Sequence, residues 1–368
     1  MPVAGAADYS RRRAALRTRL LRRGLAAWML VPGPNLRYFT GLTLGPSERL
    51  FLYLETAEGD ACAIVPQLEA EAARPRLGEI GARLFVYRDE TGPEPSLARA
   101  LGALGTRPAP LGAEFALMRL AERAAVETAV PRARWHPLDP DARVLRQVKD
   151  DEEIQALRAA AAIARTAAET AIALAAPGRT ERDLAEACHN VLWDCGTYSP
   201  FGILIASGPR SADPHAVCGD RRLEAGDLVW VDVGAVVDGY CGDVTRTVAV
   251  GDPGAELRRV LEVTRRAQHL AIAAARPGAT AQSVDAAARA TIAEAGLAAY
   301  FPHRTGHGLG LDIHEAPFLV DGDEEPLQPG MCCTVEPGVY LPGLGGARIE
   351  DDLLITAGGP EVLTRAGA

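Results

Sequence analysis

Leu228-Val-Trp-Val-Asp-Val-Gly-Ala-Val-Val-Asp-Gly-Tyr-Cys-Gly-Asp-Val-Thr-Arg-Thr-Val-Ala-Val250 reads as two apolar strands joined at Asp238-Gly239. Asp-Gly between two strand-type runs is a two-residue hairpin signal. With that loop, Val237 pairs with Tyr240 and Asp232 with Thr245. Side chains alternate along a strand, so Asp243 shares a face with Thr245 and becomes the diagonal neighbour of Asp232, at roughly 7 to 8 Å. Two carboxylates are therefore expected on one face of one hairpin.

An internal repeat extends this reading. Ile172-Ala-Leu-Ala-Ala-Pro-Gly-Arg-Thr180 aligns with Ile272-Ala-Ala-Ala-Arg-Pro-Gly-Ala-Thr280 at an offset of 100 residues. Each copy predicts a helix, a Pro-Gly turn and a second helix. Further on, Leu223-Glu-Ala-Gly-Asp227 aligns with Leu327-Gln-Pro-Gly-Met331 at an offset of 104, which carries Asp232 onto Glu336. A second hairpin is expected there, with Pro337 to Gly346 as its Gly/Pro-rich connection and Ala347 to Ile355 as its second strand. That strand carries Glu350, two residues from Arg348 and so on the same face.

A fifth candidate ligand is His307, in Thr305-Gly-His-Gly-Leu-Gly310, where flanking glycines let the backbone bring an imidazole close to other groups. The glycines resemble part of a dinucleotide fingerprint. The segment runs into Asp312-Ile-His-Glu-Ala-Pro317 instead of opening a helix, which removes that reading. Four carboxylates in one pocket repel and take up protons unless cations hold them ionised. Two divalent ions would balance them, which points to a two-metal hydrolase.

At these residues the chain resembles the pita-bread metallopeptidases, the family of methionine aminopeptidase, aminopeptidase P and prolidase. The resemblance rests on Val231-Asp-Val-Gly234, Asp243-Val-Thr-Arg246, Gly306-His-Gly308, Val335-Glu-Pro-Gly338 and Arg348-Ile-Glu-Asp351. It implies that Asp243 and Glu350 bridge two metals, that Asp232 completes one shell, and that His307 and Glu336 complete the other. It also implies that His215 and His314 contact substrate and steady the tetrahedral species, with Arg348 in support. Glu336 is then a candidate proton shuttle as well as a ligand. One nitrogen in an oxygen-rich shell suits manganese first, with cobalt or zinc as alternatives. Paired metals activate water and polarise a carbonyl.

The fold class expected is a two-domain α/β protein, with an N-terminal creatinase/prolidase-like domain over residues 1–140 and a pita-bread catalytic domain over 141–368. Strands near Ala26 to Val31, Leu50 to Leu54 and Ala61 to Val65 alternate with Ala- and Arg-rich helices, and Pro137-Leu-Asp-Pro140 reads as the linker. Asp150 to Glu153 opens a helix whose first-turn acids complement its dipole. Asn35-Leu-Arg-Tyr-Phe-Thr-Gly41 resembles the N-terminal signature of prolidases, aminopeptidases P and creatinases. That subgroup implies a homodimer, with the Tyr38 to Arg49 loop as a candidate lid. Methionine aminopeptidase usually lacks this domain.

Composition agrees with a cytoplasmic enzyme. The 368 residues are 48% hydrophobic, enough for two cores, and no apolar run approaches a membrane span of about 18 residues. A net charge of -9 disfavours nucleic acid as a partner. Seven cysteines form no CxxC pair and read as free buried thiols in a reducing compartment, and Cys188-His189 lies within a predicted helix without a partnered acid. Arg11-Arg-Arg13 and Arg22-Arg23 before Leu25 to Val31 read as an amphipathic helix leading into a core strand and not as a signal peptide.

The function expected is hydrolysis of Xaa-Pro bonds in small proline-containing peptides, by an Xaa-Pro dipeptidase ahead of an aminopeptidase P. A non-peptidase hydrolase or lyase, and a non-catalytic binding protein, are the more distant options. Prolidases often carry an arginine directly after the His-Glu-x-Pro motif to bind the free carboxylate of the dipeptide. Here Phe318 follows Pro317, which leaves that task to Arg348 or to the N-terminal loop.

Overall fold

The computed structural model describes residues 6–105 and 110–365. The chain divides into two compact units, Met1–Arg146 and Gln147–Ala368, and its class is two-domain α/β.

In the first unit six strands form one sheet. They are β1 (Ala27–Leu30), β2 (Leu52–Thr56), β3 (Ala61–Pro66), β4 (Arg83–Tyr87), β5 (Pro110–Ala113) and β6 (Arg134–Pro137), ordered β4-β3-β2-β1-β5-β6. β1, β2 and β3 are buried along their whole length, which is why β1 and β3 read as continuous apolar runs instead of alternating ones, while β2 ends in the buried Glu55 and Thr56. Met29, Leu52, Leu54, Ile64, Leu97 and Leu111 form the core. Two of the arginines near the start are part of the packed interior: Arg12 and Arg13 are buried on the helix Ala6–Arg22, Arg12 over the Tyr38 ring at 4.3 Å and Arg13 paired with Glu55 at 3.1 Å.

The loop reading of Tyr38 to Arg49 needs correction at its first residues. Tyr38 to Thr40 close a helix, Pro34–Thr40, whose first position is proline and whose C-cap is Gly41 at φ 74°. Tyr38 is buried and its hydroxyl donates to the Leu145 carbonyl at 2.6 Å. Only the segment after Gly41 is irregular. Pro137 ends β6 and Asp139 opens the helix Asp139–Gln147, so Pro137 to Pro140 joins two regular elements.

The second unit repeats one theme twice. Helices Asp151–Ala173 and Glu181–Asp194 make the first copy, and Gly254–Ala274 and Ala281–Glu294 the second. Gly178 and Gly278 sit at φ 89° and 83°, where a side chain would be strained. Each donates its N–H to the aligned leucine carbonyl, Leu223 at 2.9 Å and Leu327 at 2.8 Å. The repeat in the sequence is therefore a repeat of backbone bonds. The first helix begins with a reciprocal cap in which the Asp150 side chain accepts from the Glu153 N–H and Glu153 returns to the Asp150 N–H.

In the first copy, β7 (Ile203–Ser207), β8 (Leu228–Val237) and β9 (Tyr240–Ala249) form a sheet in that order. Asp238 at φ 48° and Gly239 at φ 80° make the turn, both left-handed as a type I′ hairpin requires. Asp232 pairs with Thr245 and Gly234 with Asp243, the register read from the sequence. An alanine stripe of the helix Asp151–Ala173 lies on this hairpin so closely that a Cβ at Gly242 would come within 2.6 Å of the Ala160 backbone.

The second copy departs from expectation. β10 (Gly306–Gly308), β11 (Glu315–Leu319), β12 (Cys332–Val335), β15 (Asp351–Thr356) and β16 (Gly359–Val362) form a sheet ordered β11-β10-β12-β15-β16. Pro337 to Gly346 is not a simple connection. It contains β13 (Gly338–Leu341), which pairs with β14 (Gly345–Arg348) as a separate hairpin. The predicted strand Ala347 to Ile355 is thus interrupted, and Glu350 falls between β14 and β15. Glycine makes the hairpin possible, since a Cβ on Gly346 would lie 2.5 Å from the Ser211 carbonyl. Leu257, Val260, Ile292, Leu319, Val335 and Leu353 pack beneath it. No helix among the described residues is long and apolar enough to cross a membrane.

Candidate metal centre

Alternation on β8 and β9 delivers Asp232 and Asp243 to one side, and the second copy brings His307, Glu336 and Glu350 to meet them. All five line one cavity of about 680 Å³, together with His215, His314 and Arg348. Asp243, His307 and Glu350 form the tightest group, each offering a ligand atom within 4.8 Å of the others, and all three are buried. Glu336 joins through His307 Nε2, 3.2 Å from its Oε1. Asp232 lies outside that triplet, and one of its oxygens accepts from Arg348 Nη2.

The carboxylates are oriented by hydroxyls and backbone. Thr245 Oγ1 donates to Glu350 Oε2 at 2.6 Å, and Arg348 Nε donates to the same Thr245 oxygen at 3.1 Å. Thr334 Oγ1 accepts the His307 N–H and donates to Glu336 at 3.2 Å. The Asp243 N–H donates to Asp352 at 3.0 Å. Arg348 also donates to the Pro214 carbonyl and to the Tyr340 hydroxyl, and its guanidinium stacks on Trp230 at 4.8 Å.

Electrostatics shows what this arrangement lacks. Burial pushes Asp243 and Glu350 well above the usual carboxylate range, and the neighbouring carboxylates add to it. Burial raises Asp232 too, against the opposing pull of Arg348. Glu336 goes the other way: burial disfavours its charge, but the His307 hydrogen bond and positive charge draw it down to about 2. Asp232 Oδ1, Asp243 Oδ1 and Glu350 Oε1 are buried with no hydrogen-bond partner. Unsatisfied buried carboxylate oxygens are costly, and a cation is the partner that would satisfy several of them at once. His307 fits the same account. Its Nδ1 lies 3.1 Å from the Gly308 carbonyl, which can only accept, so Nδ1 carries a hydrogen and Nε2 is the nitrogen aimed at Asp243 and Glu336, where a cation would replace the proton of the His307–Glu336 hydrogen bond. The residues present therefore fit a divalent-cation centre of hard donors.

The two remaining histidines sit at the rim. The His314 ring packs edge-on against His307 with centroids 4.2 Å apart. Partial burial of the ring, with His307 and Arg304 nearby, holds His314 down to about 4, so it is neutral at pH 7. His215 is exposed on the cavity wall, its N–H bonded to Asp213 at 2.9 Å. Sequence reading missed Thr334, Tyr340, Asp352, His303 and Arg304, and treated Thr245 only as a register partner. No spacing rule marks such residues, since their roles come from contacts between the two copies and from the cavity wall. The thiols lie elsewhere. Among the described residues no disulfide forms, and Cys195 is exposed and Cys218 half-buried, so the expectation of buried thiols fails at those two. Their stretches flank a helix end and a loop.

Comparison with known proteins places this geometry. Residues 155–357 match the model of metallopeptidase family M24, and residues 12–148 match the creatinase/prolidase N-terminal domain. The chain is 39% identical over 354 residues to the probable dipeptidase PepE of Mycobacterium tuberculosis, covering 95% of this chain and 93% of that one. It is 38% identical over 333 residues to the Xaa-Pro dipeptidase of Pyrococcus furiosus, covering 90% and 91%. The crystal structure of the Thermococcus sibiricus prolidase superposes with a TM-score of 0.91 at 34% identity, covering 98% of this chain and 97% of that one. The chain belongs to metallopeptidase family M24, in its two-domain form with a creatinase/prolidase N-terminal domain, and is a metal-dependent peptidase.

Proposed function

We propose that this chain hydrolyses Xaa-Pro bonds in small peptides with two divalent cations, foremost as an Xaa-Pro dipeptidase. The observation that carries the reading is the meeting of Asp243, His307 and Glu350 within 4.8 Å in the cavity that Asp232 and Glu336 also line. Relatives named as dipeptidases over nearly the whole chain support the substrate class.

Asp243 and Glu350 would hold both ions, Asp232 one of them, and His307 with Glu336 the other. Manganese is the proposed metal, with cobalt or zinc as alternatives. When bound, the pair supplies Lewis-acid activation of water and of the scissile carbonyl. The chain's residues do the rest. Glu336, held ionised, accepts a proton at a carboxylate oxygen and passes it on toward the leaving nitrogen. His314, neutral at pH 7, donates to the oxygen on which charge develops, and His215, which lines the same cavity, is a second donor. Arg348 keeps Asp232 and the Pro214 carbonyl in place. A cytoplasmic homodimer, with residues 141–368 as the catalytic domain, completes the proposal.

The test is hydrolysis of an Xaa-Pro dipeptide beside an Xaa-Pro-Xaa tripeptide, after chelation and again with manganese restored. Manganese-dependent cleavage of the dipeptide supports the proposal. Cleavage mainly of the tripeptide would make the enzyme an aminopeptidase P, and cleavage of neither would overturn the peptide assignment.

A further inference from the structure

The cavity contains a second arginine whose donors are uncommitted. Arg304 lines it beside His303, His314 and Glu336. Its Cζ lies 4.7 Å from the Phe318 ring centroid, and Phe318 pairs in register with His307 across β10 and β11. Stacking thus parks the guanidinium next to the strand that carries a metal-ligand candidate. Contact with a ring leaves the N–H donors of a guanidinium available to a carboxylate. Among the described residues, no carboxylate or carbonyl pairs with that edge. Arg348 also lies over a ring, that of Trp230, but it is buried and its donors go to Asp232, Tyr340, Thr245 and the Pro214 carbonyl.

Charge decides what such an edge selects. Two divalent cations would balance Asp232, Asp243, Glu336 and Glu350, which leaves the arginines as excess positive charge in a semi-enclosed space. With Arg348 fully engaged, Arg304 is the cation able to form new bonds. A planar fork of N–H donors matches a carboxylate in bidentate fashion. On the reading given under Proposed function, the anion on offer is the C-terminal carboxylate of a short peptide. In an Xaa-Pro dipeptide it lies on the residue directly after the scissile bond. We propose that Arg304 is the specificity-determining residue that binds this carboxylate and so favours dipeptides with a free C-terminus over amidated or longer peptides.

The test compares acid and amide. Calorimetry on the manganese-loaded protein measures binding of L-proline and L-prolinamide, neither of which contains an Xaa-Pro bond. Steady-state kinetics then compares Ala-Pro with Ala-Pro-amide. Wild type is expected to prefer the acid by about 10- to 100-fold in both, the range of a charge-assisted hydrogen-bonded pair. In Arg304→Ala that ratio collapses toward one, with the loss on Ala-Pro carried by KM and bound manganese unchanged. Arg304→Lys keeps the charge without the fork and retains part of the preference. The proposal is overturned if wild type shows no acid preference, or if Arg304→Ala keeps it in full. Absence of all Xaa-Pro cleavage by wild type would instead sink the peptidase reading, while the proline-against-prolinamide ratio still decides the role of Arg304.

Discussion

Thr245 and Glu350, 105 residues apart, share a hydrogen bond of 2.6 Å that ties the first hairpin to the residue between β14 and β15. The same hydroxyl accepts from Arg348, so one threonine sets the orientation of a candidate bridging carboxylate and of the arginine that holds Asp232.

Replacing Thr245 by valine keeps the shape and removes that link. Metal affinity should fall about 10- to 100-fold, the usual cost of losing a residue that orients a ligand. Titration of the metal-free protein with manganese, read by calorimetry, measures it. Unchanged affinity would mean Glu350 needs no such support.

Asp243→Ala and Glu350→Ala each remove a residue proposed to touch both ions. Bound metal should drop from two per chain toward none, and turnover should fall at least about a thousandfold, because the lost activation is worth several kcal/mol. Elemental analysis beside the dipeptide assay is the check. Near-normal turnover in either variant would rule out the two-metal reading.

His314→Ala should lower turnover by about 100- to 1000-fold, as for loss of one preorganised donor, with metal content intact. Since His314 is held down to about 4, its own titration should leave no step in the rate between pH 5.5 and 8. Equal loss of metal in this variant would make His314 a ligand instead.

Glu114 offers a pH test in the first unit. Burial pushes its carboxyl up to about 7, against the pull of the Val31 N–H and Asn35 bonds. The folded pKa exceeds the unfolded one, so the group's stabilising contribution is fully present below about pH 4.5 and is lost as pH rises through 7. That contribution is about 3 kcal/mol. Glu114→Gln, which cannot titrate, should lack this dependence, so its stability relative to wild type should improve by about that amount between pH 4.5 and 8. Urea unfolding across that range decides it, and parallel curves for the two proteins would refute the shift.

The hairpin register was legible because every step was local. Asp238-Gly239 permits one tight turn, the turn sets which residues pair, and alternation does the rest. The repeat was legible because Pro-Gly turns recur at a fixed offset and glycine is needed at both. The second hairpin was misread at Pro337 to Gly346. There glycines serve close packing against Ser211, a long-range demand that looks like loop composition. Tyr38 was misread for the same reason, its hydroxyl being bonded to the distant Leu145 carbonyl.

By itself, then, the amino-acid order determined the two copies, the strand register and the five ligand candidates, since each follows from short-range geometry and from charges that need a partner. Tertiary structure alone decided that Asp232 is held by Arg348, that Thr245 aims Glu350, and that Arg304 keeps an open edge in the cavity. The first two depend on how the two copies dock, where groups a hundred residues apart in sequence share the same few hydrogen bonds, and the third on the pairing of β10 with β11.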